Sequence, residues 1–137
     1  MRSLPVILVS VLLWASPAVS RDNGQWEMVG PDERAYFNTL MQPDHPTTSC
    51  CGVSDVYYAD QTEPCGPEHG PQCALIAIIT DTRPDAPLNR RHVPPGTRVV
   101  VPRSKIRRMP SENPTSHNLI FLGSENSVYC WEPLPGI

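Results

Sequence analysis

Ser49-Cys50-Cys51-Gly52-Val53-Ser54-Asp55-Val56-Tyr57-Tyr58 joins a helical lead-in to the first strand-like run of the chain and carries two adjacent thiols. On its N-terminal side, Gly30-Pro31-Asp32-Glu33 has the composition of a helix start, with proline in the first turn and carboxylates where the helix dipole favours them. The spacing predicts a helix from about Pro31 to Met41. Tyr36, Phe37, Leu40 and Met41 form its apolar face, and Pro43 and Pro46 end it. On the C-terminal side, Val53 to Ala59 is β-branched and aromatic, the composition of a strand.

The remaining runs are short. Ala74 to Thr80 is the most apolar and predicts a buried central strand. It follows a turn-rich loop, Gln61 to Gln72, and precedes a proline-bearing loop from Asp81 to Gly96. Thr97 to Val101, extended towards Ile106, reads as a third strand, with Pro102 marking an edge or an interruption. After a turn at Pro110 to Ser116, His117–Leu122 and Ser127–Trp131 flank Gly123-Ser124-Glu125-Asn126 as a β-hairpin would. Seventeen prolines in 137 residues argue against long helices and parallel α/β architecture. The expectation is an α+β or mainly-β fold, in which a short N-terminal helix packs on a small, mostly antiparallel sheet of about five strands.

The first twenty residues set the compartment. Arg2 precedes an apolar core, Leu4 to Ala15, and Ala18-Val19-Ser20 offers the small residues of a cleavage site. Residues 1–20 therefore read as a secretory signal peptide and 21–137 as one small exported domain, periplasmic or secreted, with no transmembrane segment after cleavage. All five cysteines follow the signal, so disulfides are expected and one thiol is left over. Two bridges among five cysteines allow fifteen arrangements, because each choice of free thiol leaves three pairings. Adjacent cysteines rarely bond each other. Cys65 and Cys73 enclose turn-forming residues and suit a local bridge, after which Cys130 pairs with Cys50 or Cys51. The working assignment is Cys51 to Cys130, with Cys50 free or exchanging with Cys51 and open to a mild alkylating agent.

The chain also resembles a group of small exported bacterial proteins of uncharacterised activity. The residues that carry the likeness are Ser49-Cys50-Cys51-Gly52-Val53-Ser54-Asp55, Val101-Pro102-Arg103-Ser104-Lys105-Ile106, Glu112-Asn113-Pro114-Thr115 and Tyr129-Cys130-Trp131-Glu132-Pro133. Members of that group usually carry a further cysteine after Ser-Asp and another in the penultimate strand. Val56 and, at about the second position, Phe121 stand there in this chain, as the loss of one disulfide would leave them. Cys65 and Cys73 are this chain's own addition. The resemblance implies a shape and a compartment, and no activity.

Charge is unevenly distributed. Arg83, Arg90, Arg91, Arg98, Arg103, Lys105, Arg107 and Arg108 share residues 83–108 with Asp85 alone, whereas residues 21–82 carry ten acidic and two basic groups. A basic block inside an acidic protein suggests a contact for an anionic envelope polymer or an acidic protein, through Arg90, Arg91, Arg98, Arg103, Lys105, Arg107 and Arg108. The plainer account is that the two halves neutralise each other across the fold. Nucleic acid is a poor fit for an exported acidic chain without a binding motif. The preferred function is a non-enzymatic binding or interaction module of the cell envelope, with no cofactor called for. One alternative is a periplasmic metal-binding protein using Cys65, His69 and Cys73, although their spacing matches no standard zinc pattern. Another is a small envelope hydrolase, for which Ser54-Asp55 and His117 are the only imaginable partners. Trp26, Trp131, Tyr57, Tyr58 and Tyr129 belong either to the core or to an aromatic patch beside the basic block.

Overall fold

The computed structural model of this chain describes residues 29–52, 54–108 and 113–135. Residues 1–20, expected to form a signal peptide, together with Trp26, Met28, Val53 and part of the turn around Pro110, lie outside the described residues.

Helix α1 spans Pro31–Thr39, with Pro31 in its first turn and Asp32 and Glu33 at its positive end. It stops two residues short of Met41 because the chain leaves Leu40 in an extended conformation and enters a small hairpin, β1 (Met41–Gln42) and β2 (His45–Ser49). That hairpin was not expected, because the exposed His45-Pro46-Thr47-Thr48 stretch carries no apolar alternation. β3 (Asp55–Tyr58), β7 (Leu119–Leu122) and β8 (Val128–Glu132) form one antiparallel sheet in the order β3-β7-β8. β4 (Gln61–Glu63), β5 (Cys73–Ile78) and β6 (Arg98–Pro102) form another in the order β4-β5-β6. The chain thus has a small disulfide-stabilised α+β fold, with eight short strands in three sheets among the described residues, where about five in one sheet were expected. The loop after β5 also holds one helical turn, α2 (Asp85–Leu88).

The two larger sheets are stitched together at both margins. Thr80 donates its backbone N–H to Tyr58 O at 3.0 Å, and at the other side Arg107 N–H bonds Trp131 O at 2.9 Å beside a parallel bridge between Ile106 and Trp131. Between the sheets lie Tyr57, Ala77, Ile79, Val99, Val101, Ile120, Leu122 and Trp131. β7 is buried along its whole length because its alternate side chains serve different cores. Ile120 and Leu122 face the inter-sheet core, while Leu119 and Phe121 point the other way, into a second cluster with Phe37, Leu40, Cys50, Cys51, Val56 and Cys130. Phe37 of α1 meets Phe121 edge-on at 6.1 Å between centroids, a favoured aromatic geometry. A strand buried on both faces reads as a continuous apolar run, as Leu119-Ile120-Phe121-Leu122 does.

Two disulfides close the structure, Cys50–Cys130 with Cα atoms 5.7 Å apart and Cys65–Cys73 with Cα atoms 6.1 Å apart. The choice of Cys51 as the partner of Cys130 is therefore corrected: Cys50 makes the bridge and Cys51 is the free, fully buried thiol. Both sulfurs lie in the second core, and Cys51 Sγ approaches Phe37 O at 3.2 Å. Val56 and Phe121, which stand at or about the positions where the resemblance implies additional cysteines, are direct cross-strand partners.

The Cys50–Cys130 bridge spans 80 residues and ties β8 to the segment between β2 and β3, whereas Cys65–Cys73 spans 8. Cys130→Ala should therefore lower stability by about 2–5 kcal/mol, and Cys65→Ala by less, in urea melts of equal slope. A larger loss in Cys65→Ala would contradict this account. Directly opposed residues of an antiparallel pair sit about 4.5–5.5 Å apart at Cα, within disulfide range. The double variant Val56→Cys/Phe121→Cys should accordingly oxidise to a third bridge, with alkylation in denaturant still counting one thiol; three labels would show that the register differs.

Candidate functional site

The basic segment folds back onto the acidic half of the chain, and most of its charge is consumed there. Arg90 is the clearest case. Its side chain is 4% exposed, and its guanidinium contacts Asp81 at 2.6 Å and Asp85 at 2.9 Å. It also donates to Val56 O and Arg83 O and lies over the Tyr57 ring at 4.7 Å. Asp81 is wholly withdrawn from water and accepts from Arg83, Arg90 and the Tyr58 N–H. Burial alone would raise its pKa, but the hydrogen bonds from Arg83 and Arg90 prevail and hold its carboxyl well below the usual carboxylate range.

The other cations follow the same logic. Arg91 donates to Gly123 O and Asn126 Oδ1, Arg98 pairs with Glu63, and Lys105 reaches Asp44 at 2.8 Å and Gln42 Oε1 at 3.2 Å. Arg107 donates to Glu132 at 2.6 Å and to Met41 O at 2.8 Å. Glu132 is completely buried and also accepts from the Tyr36 hydroxyl, so α1, β1 and β8 meet at one carboxylate. Arg90, Lys105 and Arg107 are therefore largely buried partners of the fold, while Arg91 and Arg98 are paired nearer the surface, so each of the five already has a partner within the chain.

Arg103 and Arg108 differ. Arg103 spends its Nε on Pro71 O at 3.1 Å, but its terminal amines meet no carboxylate among the described residues. Arg108 is exposed and has no hydrogen-bond or ion-pair partner among the described residues. Both line a surface cleft of about 530 Å³ with Met41, Pro43, Asp44, Ser104, Ile106 and Arg107. The β1–β2 turn makes one wall and the segment after β6 the other, where a 3-10 turn (Arg103–Lys105) carries the side chains. The Lys105–Asp44 and Arg107–Met41 contacts pin the walls together. Burial is the largest single influence on Asp44 and raises its pKa, yet the hydrogen bonds from Lys105 and His45 and the Lys105 charge together outweigh it and lower the pKa, so this carboxylate stays ionised beside Lys105. The hairpin wall left a single mark in the sequence, the Pro43-Asp44 pair that favours a turn, while Met41, expected on the apolar face of the helix, instead stands exposed on β1.

The remaining candidates are spent on structure. Cys65 and Cys73 bond each other, and His69 Nδ1 accepts from Gly66 N–H at 3.2 Å, so this set is closed to a metal. No group of three or more metal-binding side chains occurs among the described residues. Ser54 is buried and donates to Cys50 O, Asp55 accepts from Arg91 N–H, and His117 pairs with Asp60 at 2.7 Å beyond the far end of β3, so the imagined hydrolase partners do not meet. Tyr57 and Trp131 are core residues, and Tyr58 is held between the Arg83 guanidinium at 3.7 Å and the His117 ring at 3.9 Å. Tyr129 packs half-buried on the second core, so these aromatics form no patch beside the cleft. Comparison with protein-family models, curated proteins and solved structures returns no match. No helix among the described residues is long and apolar enough to cross a membrane.

The leftover thiol is protected. Burial pushes Cys51 up to about 12, so almost no thiolate exists at neutral pH, and the expectation that a mild reagent labels it in the folded protein gives way. Iodoacetamide at pH 8 should leave the native chain unmodified and add one label in denaturant; rapid native labelling would contradict the burial.

Asp81 gives a pH prediction. Its folded pKa lies below its unfolded value, so the stability it confers is complete above about pH 4 and falls away as pH drops through the folded pKa. Asp81→Asn removes one partner of a buried pair and should cost about 3–5 kcal/mol at pH 7. The gap between wild type and Asp81→Asn in urea melts should narrow as pH falls below about 4; a gap constant down to pH 2 would refute the assignment.

Proposed function

We propose that this protein is a non-enzymatic binding module of the cell envelope that engages an anionic partner through Arg103 and Arg108. The observation that carries the reading is the contrast within the basic segment. Its other cations in the candidate set are held by partners of the fold, whereas these two guanidiniums line a cleft whose one carboxylate among the described residues, Asp44, is already paired with Lys105. A guanidinium that is weakly hydrated and has unused donors is well suited to carboxylate or phosphate recognition. The signal-like residues 1–20 and two disulfides support a periplasmic or secreted location, since disulfides persist in oxidising compartments.

Retention on an immobilised polyanion, heparin or polyphosphate, tests the reading. Arg103→Gln/Arg108→Gln should elute at lower salt than wild type and with a weaker salt dependence, because exposed charges are screened beyond about 10 Å at 0.1 M salt. Arg98→Gln, at the start of β6 while the cleft-lining residues follow its end, should elute close to wild type. Equal retention of the double variant and wild type at every salt concentration would remove Arg103 and Arg108 from the contact.

A further inference from the structure

The walls of the cleft narrow the class of ligand. A polyanion is best held by an extended row of solvent-facing cations, since each neutralised charge contributes separately. In this cleft the cations without a carboxylate partner among the described residues are Arg103 and Arg108, because Arg107 is fixed to Glu132 and Asp44 is neutralised by Lys105. Between them the lining is apolar: Met41, one of two large hydrophobic side chains exposed by more than a third among the described residues, with Pro43 and the half-buried Ile106. The volume of about 530 Å³ falls within the roughly 300–1,000 Å³ typical of small-molecule sites. Apolar walls with a few placed polar groups are the usual composition of such sites.

Resting on the binding role of Arg103 and Arg108, we infer that the ligand is a small anionic amphiphile, one carboxylate or phosphate headgroup on an apolar body. The headgroup meets the Arg103 and Arg108 guanidiniums. The body lies along Met41, Pro43 and Ile106, where it removes apolar surface from water on both sides of the contact. The cleft is anchored for this task. Arg107 bridges the buried Glu132 to the carbonyl of Met41, so the apolar wall is held by a charged strut beneath it.

Calorimetric titration of the full mature chain with decanoate and decyl phosphate, below their micelle concentrations, provides the test, with 1-decanol and inorganic phosphate as single-feature controls. Saturable binding of at least one anionic amphiphile, at least tenfold tighter than either control, is expected. Arg103→Gln/Arg108→Gln should weaken it tenfold or more, and so should Met41→Asp, whose exposed side chain can change without disturbing the core. Decanoate binding above decyl phosphate, or the reverse, identifies the headgroup. Equal binding of decanol, or undiminished binding in both variants, would overturn the inference. Polyanion retention that depends on Arg103 and Arg108 with no amphiphile binding would overturn it while leaving the binding module standing. Failure of both experiments would remove the module as well.

Discussion

Asp81 is the carboxylate on which the arrangement of the sheets depends. It leaves water entirely at the end of β5 and is compensated by two guanidiniums and the backbone N–H of Tyr58 on the neighbouring sheet. A buried charge is tolerated only with full pairing and hydrogen bonding, so Arg83, Arg90 and the edge of β3 must all be in place together. Arg90 extends the demand to Asp85 and to the carbonyl of Val56, which sets the course of the loop crossing the inter-sheet core. One ionic centre thereby specifies the mutual position of both larger sheets.

The elements with strong local signatures were legible in the sequence. Pro31 with Asp32 and Glu33 announces α1, the apolar run around Ile76 announces β5, and Gly123-Ser124-Glu125-Asn126 separates β7 from β8 as a hairpin connection should. The long bridge to Cys130 was legible as well, but not which of two adjacent thiols makes it. That choice depends on which side chain points at β8 inside the second core, and a one-residue difference in direction leaves no trace in composition. β1, β2 and β4 were missed because they are short, mostly exposed strands whose pairing comes from their neighbours and not from side-chain alternation.

The candidate site shows a different limit. A run of arginines states how much charge a segment carries, not how much of it remains available once distant carboxylates have folded against it. Glu63, Asp44, Asp81 and Glu132 lie at widely separated positions, and each pairs with a cation of the basic segment. The neutralising account of the basic block therefore holds for most of its members, while Arg103 and Arg108 escape through position, beside a hairpin wall that offers them Met41 and Pro43 but no free carboxylate. Local sequence could not have separated Arg107 from Arg108, adjacent residues with opposite fates.

The adjacency of Cys50 and Cys51 also bears on how the chain reaches this state. An oxidant acting on the unfolded chain meets two thiols that are almost equivalent in reach, since one residue among 80 changes the loop-closure cost negligibly. Both mixed products must therefore arise early and sort by thiol exchange, which requires a thiolate next to the bridge. Packing of Phe37 and Phe121 around the pair then withdraws the remaining thiol from water and raises its pKa. Exchange is open while the second core is loose and stops when it consolidates, so consolidation acts as a kinetic ratchet that selects one isomer and retains it.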